Sequence, residues 1–401
     1  RISGGAAAGA IRRASGPRPA RSLRADKPAP PVQMTDGRTA YRQEGEQMSE
    51  QDEWAGEREQ RLRMIRDSAA SLVPRDGDLT RVRRGRFTGS GVDRQAWREV
   101  CAMGWPALRL DEALGGSGLG MSEYAALLEA LGRGLLPEPL IEAGLVAPLL
   151  PEDERVALLA AERLVLPAGI AYRDGRRRPR MQQGRLHGEV AHVHLAGAAD
   201  AWLVACEQGL ALVERDADGV ELLCEATQDG AHLARLRFRD APARWLSGEV
   251  TEQVLDEAAL ACAAYLVGLM DGAFERTLEY LKVRRQFGRE IGSFQALQHR
   301  MVDLRIQIEL SRAMVEQAAA AIDAGASESE RQRQVSSARV RASEAALLVT
   351  RQAIQLHGGI GYTDEADIGL FLRRAMVLLN AHGSLAFHKA RYAALLQREV
   401  A

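Results

Sequence analysis

Residues 283–299, VRRQFGREIGSFQALQH, carry the reading that decides the fold. A basic pair closing one helical pattern is followed by Phe-Gly, a glycine turn and the start of a second helix. Arginines there suit a pyrophosphate, because a guanidinium makes fixed, charge-assisted bonds to phosphate oxygens. Taken alone, arginines at a helix C-terminus are more often partners of the helix dipole than ligands. Two further segments follow at intervals. In QAIQLHGGIGYTDE (352–365) the paired glycines permit close approach of a ligand to the backbone, and Gln355 offers an amide to an adenine or a phosphate. By itself that segment is a helix C-cap and turn. In LRRAMVLLNAHGS (372–384) a helix leads into His382-Gly383.

Outward from these segments the pattern is helical. Leu260, Val267, Met270, Phe274, Leu278 and Leu281 form one stripe, and similar stripes run over 295–322, 330–356 and 368–396, with AGAS (324–327) and HGGIGYTDE (357–365) between them. Four amphipathic helices on short connectors predict an antiparallel four-helix bundle. Between about 164 and 250 short runs such as EVAHVHLAG, AWLVAC, LALVERD and HLARLRFRD are cut by Gly, Asp and Pro, which predicts a small β-domain. Residues 53–150 read as helical, broken at PRDGD (74–78) and at Gly115, Gly116, Gly118 and Gly120. That glycine cluster follows no strand, so a tight loop is expected rather than a dinucleotide fingerprint. Ser122 is placed to cap a helix whose Tyr124, Leu127, Leu128 and Leu131 share a face. The expected architecture is α+β: an extension over 1–47, an N-terminal helical domain over 48–160, a middle β-domain over 161–250 and the bundle over 251–401.

In order and spacing, the three C-terminal segments resemble the acyl-CoA dehydrogenase family, whose pattern of R-x-Q-F-G, F-Q, Q-x-x-G-G-x-G-Y and an R-D-A-like helix is matched from Tyr280 to about Arg391. GWPALRLDEALGGSGLGMSEYAALLEALGR (104–133) is more loosely similar to the family's N-terminal helical domain. The resemblance implies an FAD enzyme of fatty-acid β-oxidation type. In that family a hydride leaves the β-carbon of an acyl-CoA thioester for the flavin while a carboxylate removes the α-proton, giving a trans-2-enoyl-CoA. It further implies that Arg284, Phe287 and Gln295 contact the FAD of a neighbouring subunit, with Gln355, Gly358 and Gly359 at the adenine and pyrophosphate end. A homo- or hetero-oligomer, dimer or tetramer, is therefore expected, with electron-transferring flavoprotein as acceptor.

The chain departs from that family where the base belongs. The usual Glu before a Gly is replaced by His382, a polar residue at a helix-to-loop junction that equally well meets solvent or caps a carbonyl. Some members carry the base on the first bundle helix; counting back from Gly268-Leu269-Met270 reaches Ala258, with Ala259 at the family's substrate-site Arg. Glu257 is one residue away, and within a helix one residue turns the side chain by about 100 degrees, so it is expected to face elsewhere. His382 and Glu257 are the two candidate bases. The flavin-facing T-E-P-x-x-G-S-D loop survives as at most LPAGIA (166–171). Besides a dehydrogenase, a non-catalytic partner subunit that completes the FAD sites of a competent sister chain fits these losses, and a flavin oxidase or monooxygenase on the same fold is a third reading.

Composition bounds the remainder. The 53 Lys and Arg nearly balance 54 Asp and Glu, so no whole-chain field draws the protein to nucleic acid or an anionic membrane. No run of roughly 18 apolar residues marks a membrane span. Cys101, Cys206, Cys224 and Cys262 lack ligand or disulfide spacing and read as reduced core thiols in a cytoplasmic protein, with no metal site. YRDGRRRPR near 173–180 reads as a solvated loop rather than a phosphate site. The Arg-, Ala- and Pro-rich start is acid-poor like a transit peptide, but is read as an extension upstream of Met48 or Met34. His357 and His388 are expected to be structural, and Asp364 and Glu365 to begin the last helix.

Overall fold

The computed structural model describes residues 56–74, 76–170 and 177–400. The expected extension over 1–47, Ala171 of the LPAGIA remnant and half of the arginine-rich loop lie outside them. Residues 57–401 form one compact unit.

The first helices are α1 (56–68), α2 (Thr80–Gly85), α3 (Arg94–Ala102), α4 (Met121–Arg133), α5 (Leu140–Val146) and α6 (Glu152–Leu159). Asp93 caps α3 by accepting from the Gln95 and Ala96 amides. The predicted breaks at 74–78 and at the glycine cluster are found, and Gly115 and Gly118 take positive φ in a loop. Tyr124, Leu127, Leu128 and Leu131 are buried together, as their spacing requires. The cap is a correction. Ser122 lies inside α4, and the amides of Met121 and Ser122 instead donate to the Asp323 carboxylate at 2.5 and 3.0 Å. An acid at the end of a distant helix thus satisfies the exposed N–H groups of this one.

The β-region holds β1 (Val165–Ala168), β2 (Arg180–Gln182), β3 (Arg185–His194), β4 (Ala201–Cys206), β5 (Gly209–Glu214), β6 (Val220–Ala226), β7 (His232–Pro242) and β8 (Arg244–Leu246). These form two four-stranded sheets, β1-β4-β5-β8 and β2-β3-β7-β6, with β1 parallel to β4 and every other pairing antiparallel. The unbroken apolar run of β4 is buried at all six positions, whereas β7 alternates. Cys224 departs from expectation: it is an exposed free thiol on the edge strand β6, while the other three cysteines are buried.

The C-terminal region contains α7 (Glu252–Val283), the short hairpin β9 (Arg285–Gln286) and β10 (Arg289–Glu290), α8 (Gln295–Asp323), α9 (Glu328–His357), α10 (Ile368–Leu378) and α11 (Leu385–Val400). Thr251 caps α7, which packs against α4, α8, α9 and α10 as the central helix. By length and composition α7 could cross a membrane, yet 78% of its apolar window is buried inside the fold. The stripe over 368–396 is not one helix. It breaks after Leu378, where His382 and Gly383 take φ of 52° and 100°. Asp364 does not start α10; it accepts from Arg86 and Arg373 at 3.1 and 2.7 Å and ties the connector to α2 and α10.

Where α4 crosses α7 the backbones touch. A Cβ on Gly268 would lie 1.7 Å from the Glu129 carbonyl oxygen, and one on Gly132 would lie 2.1 Å from that of Tyr265. Gly268→Ala must push the central helices apart and is expected to cost about 1–3 kcal/mol or more. Denaturant midpoints check this; a midpoint unchanged from the native chain would contradict the crossing.

Candidate functional site

Two groups of residues singled out in the sequence occupy different parts of the fold. The first lies where α7 and α9 end. Arg284 terminates α7 through its backbone, its N–H donating to the Tyr280 carbonyl at 2.9 Å, which leaves the side chain free to point outward. Phe287 and Gly288 both take positive φ, the two-residue turn that suits a right-twisted hairpin. This holds Phe287 91% exposed, in edge contact with Phe294, over which Arg289 stacks. Gln295 opens α8 at the surface. On α9, Gln355 accepts from the Tyr362 hydroxyl at 3.2 Å, and Gly358 ends the helix with φ 68°.

Two features of this group stand out. Phe287 is a large aromatic held in the open on a turn of positive φ, an apolar surface of the kind that marks a contact site. Gly359 has negative φ and, among the described residues, no heavy atom within 4 Å of where a Cβ would stand, so none of them requires glycine there. The ring of Tyr280 stacks on His357 with centroids 4.5 Å apart, which sets the C-terminal ends of α7 and α9 side by side. Arg284 and Gly358-Gly359 therefore extend from one end of the bundle.

The second group holds the candidate bases, and the structure separates them. His382 sits in the break between α10 and α11. Arg339, 1% exposed, clamps that break by donating to the carbonyls of Leu378 and Ala381 at 2.6 and 3.0 Å. His388, equally buried, donates from Nε2 to the His382 carbonyl at 3.1 Å. The His382 Nδ1 is sealed from solvent without a partner among the described residues. Its electrostatic neighbours are Glu142 of α5 and His194 of β3, themselves hydrogen-bonded at 2.8 Å. Burial alone would raise Glu142, yet the facing His194 and then His382 hold it down at about 2. Burial pushes His382 down to about 4, so its ring is neutral and a weaker base than a free imidazole.

Glu257 borders another cavity, of about 230 Å³, walled by apolar side chains of α5 and α7 with Tyr124. Arg109 donates to both its oxygens at 2.7 and 3.3 Å, and Gln253 to one at 3.1 Å. The expectation that Glu257 faces away from the Ala258 position is corrected: both residues border this cavity, because the Arg109 fork draws the carboxylate toward it. Ala259 is buried, and its methyl offers no charged or polar group to a substrate.

Residues 59–151 match the family model described as the N-terminal domain of acyl-CoA dehydrogenase, and residues 248–396 match that of its C-terminal domain. Acyl-CoA dehydrogenase IpdE2 of Mycobacterium tuberculosis is 33% identical over 332 residues, 80% of this chain and 91% of the relative. The chain belongs to the acyl-CoA dehydrogenase family. Among solved structures, a variant of the Tcur3481-Tcur3483 steroid ACAD superposes with a TM-score of 0.75 at 28% identity, covering 84% of this chain and 98% of its own. The ChsE4-ChsE5 complex of Mycobacterium tuberculosis shares the fold, with a TM-score of 0.74 at 24% identity over 84% and 97% of the two chains.

Acyl-CoA dehydrogenases are oxidoreductases acting on acyl-CoA, and this chain has that fold with a buried polar cluster around His382. Sequence reading missed Glu142, His194 and Arg339. Glu142 carried one signal, being with Glu138 one of two acids inside the otherwise apolar run LLPEPLIEAGLV.

The cluster predicts a pH response. An imidazole held near 4 against 6.5 when free leaves the folded chain with fewer bound protons than the unfolded chain between those values. Stability is then full above pH 6.5 and falls as pH drops toward 4. His388, pushed by burial to about 3, acts in the same direction. The Glu142 contribution is complete above 4.5 and is lost only as pH falls toward 2. His382→Asn is expected to flatten the slope between pH 6.5 and 4. Denaturant midpoints across that window check it, and an unchanged slope would contradict a neutral, sealed ring.

Proposed function

We propose that the chain is the flavin-completing subunit of a heteromeric acyl-CoA dehydrogenase that converts an acyl-CoA thioester to its 2-enoyl-CoA. In this reading Arg284, Phe287, Gln295, Gln355, Gly358 and Gly359 reach the FAD held by a partner subunit, and the partner supplies the carboxylate base. When bound, FAD accepts the hydride that leaves the β-carbon. This chain's part is to hold one end of that cofactor with a guanidinium, two amides and open glycine backbone, and to bring Phe287 against the partner that covers it.

The observation that carries the reading is the contrast between the two groups. The flavin-directed residues are exposed and available, while His382 is neutral, weakly basic and packed against a Glu142–His194 pair. The solved steroid ACAD, which carries the paired name Tcur3481-Tcur3483, supports a two-component assembly. The fit to FAD rests on the open backbone at Gly358 and Gly359, where among the described residues no heavy atom lies within 4 Å of an added Cβ. Electron-transferring flavoprotein as acceptor belongs to the same reading and rests on family resemblance, and a cytoplasmic location rests on the scattered cysteines read as reduced thiols.

One observation favours a second reading, in which the chain is competent by itself. Glu257 is a carboxylate on the wall of a cavity that it shares with Arg109, Asp111 and Gln253 beside apolar side chains. The experiment is to assay acyl-CoA-dependent acceptor reduction by the chain alone and co-expressed with a neighbouring dehydrogenase gene, for the native chain, His382→Ala and Glu257→Gln. The partner reading expects turnover only in the mixed assembly, changed less than about threefold by either variant. Turnover by the pure chain that Glu257→Gln abolishes would replace it with the second reading.

A further inference from the structure

The hairpin that carries Phe287 sorts its arginines by face. Side chains directly across a hairpin share a face, and the faces alternate along each strand. Arg285 lies opposite Glu290, and the two form an ion pair at 3.1 Å. That face is neutral. Gln286 lies opposite Arg289, and the Ile291 amide donates to the Arg284 carbonyl at 2.8 Å, so Arg284, Gln286, Arg289 and Ile291 belong to the other face. Arg284 and Arg289 are diagonal neighbours there, with backbones roughly 7–8 Å apart. Both are exposed, and among the described residues neither has a carboxylate partner. One side of the hairpin is therefore a pair of guanidiniums without a counter-charge.

Like charges this close repel, and a long side chain at the surface would turn away if nothing held it. Arg289 is held. Its guanidinium lies over the Phe294 ring, 4.0 Å from the centroid, well inside cation–π range. Phe287 packs edge-on against the same ring, with centroids 6.1 Å apart. Phe294 is itself fixed, its amide donating to the Ile291 carbonyl at 3.1 Å and its carbonyl accepting from the Leu297 amide at 2.9 Å. One ring thus directs Arg289, supports Phe287 and stands immediately before Gln295 at the start of α8.

We infer that Arg289 is a second phosphate-binding guanidinium, acting with Arg284 on the pyrophosphate of a dinucleotide, and that Phe294 is the residue that positions it. That role presupposes the flavin-completing function proposed above and adds a residue to it. A pyrophosphate brings negative charge on two adjacent phosphates, which is the counter-charge the pair lacks, and a guanidinium donates to such oxygens in a fixed fork. A guanidinium already stacked on a ring has fewer side-chain states to lose on binding than a free one. Arg285, turned to Glu290 on the opposite face, has no part in it.

The assembled enzyme provides the test, with fluorescence of FAD released on dialysis as the readout. Arg289→Ala is expected to weaken FAD retention about tenfold or more. Arg285→Ala is expected to change it less than about twofold. Phe294→Leu is expected to weaken retention on its own yet to add less than about twofold to Arg289→Ala, because both remove one contact. Phe294→Tyr keeps the ring and is expected to retain FAD like the native chain. Native retention in Arg289→Ala beside weakened retention in Arg284→Ala would overturn the role of Arg289 and leave the flavin-completing function standing, whereas native retention in both would overturn the two together. Equal weakening by Arg285→Ala would show that the hairpin acts through bulk charge alone, and full additivity of the Phe294 and Arg289 effects would remove Phe294 as the platform; either overturns the inference.

Discussion

Replacing Asp256 with alanine is expected to remove about 3–5 kcal/mol of folding stability, because it breaks a buried ion triad by its only anion. Asp256 lies in the first turns of α7 and is 1% exposed. It accepts from Arg331 of α9 at 3.2 Å and from Arg391 of α11 at 2.5 Å. Arg391 also donates to Ser336 at 2.7 Å, and its Nη2 is already buried without a partner. Burial raises the Asp256 carboxyl while Arg391 and Arg331 pull it back, so the site tolerates its charge through those contacts. Alanine leaves two guanidiniums without a counter-charge where three helices meet. Asp256→Asn keeps one accepting oxygen and is expected to fall between native and alanine. Urea denaturation followed by circular dichroism measures both, and a loss below about 1 kcal/mol for the alanine variant would show that the arginines reach water.

Replacing Arg284 with alanine is expected to do the reverse: little to the fold, much to flavin. The residue ends α7 with its backbone N–H, which alanine keeps. Stability should therefore change by less than about 0.5 kcal/mol. A charge-assisted bond to phosphate is worth about 1.5–3 kcal/mol, so FAD retention by the assembled enzyme should weaken roughly 10- to 100-fold. Arg284→Lys keeps charge but loses the planar fork and should recover only part. Fluorescence of released FAD reads the difference, and native retention in the alanine variant would remove Arg284 from the flavin site.

What was legible follows from how far each signal reaches along the chain. The stripe from Leu260 to Leu281 and the alternation in HLARLRFRD are local, and each formed the element its period demands. The glycine cluster over 115–120 was readable as a loop because no strand precedes it. The misreadings each had a partner far away in sequence. Ser122 looked like a cap, but Asp323 supplies the acceptor from 201 residues on. The stripe over 368–396 keeps helical phase, yet Arg339 holds the Leu378 and Ala381 carbonyls and stabilises the break. Glu257 seemed turned away from its neighbour's cavity until Arg109, 148 residues earlier, was seen to fix its rotamer. The Glu142–His194 pair joins an acid and a histidine 52 residues apart, each unremarked in its own segment. Site chemistry here is assembled across elements, and a reading along one element cannot supply the partner that sets a charge.

Whether this chain completes a flavin site in a partner or operates one of its own is met most directly by the visible absorbance spectrum of the purified chain, alone and co-purified with its partner. A flavin-completing subunit is colourless alone, and bound FAD rises in proportion to the partner. A chain that purifies alone with one FAD per subunit, and bleaches on adding an acyl-CoA, would contradict that role.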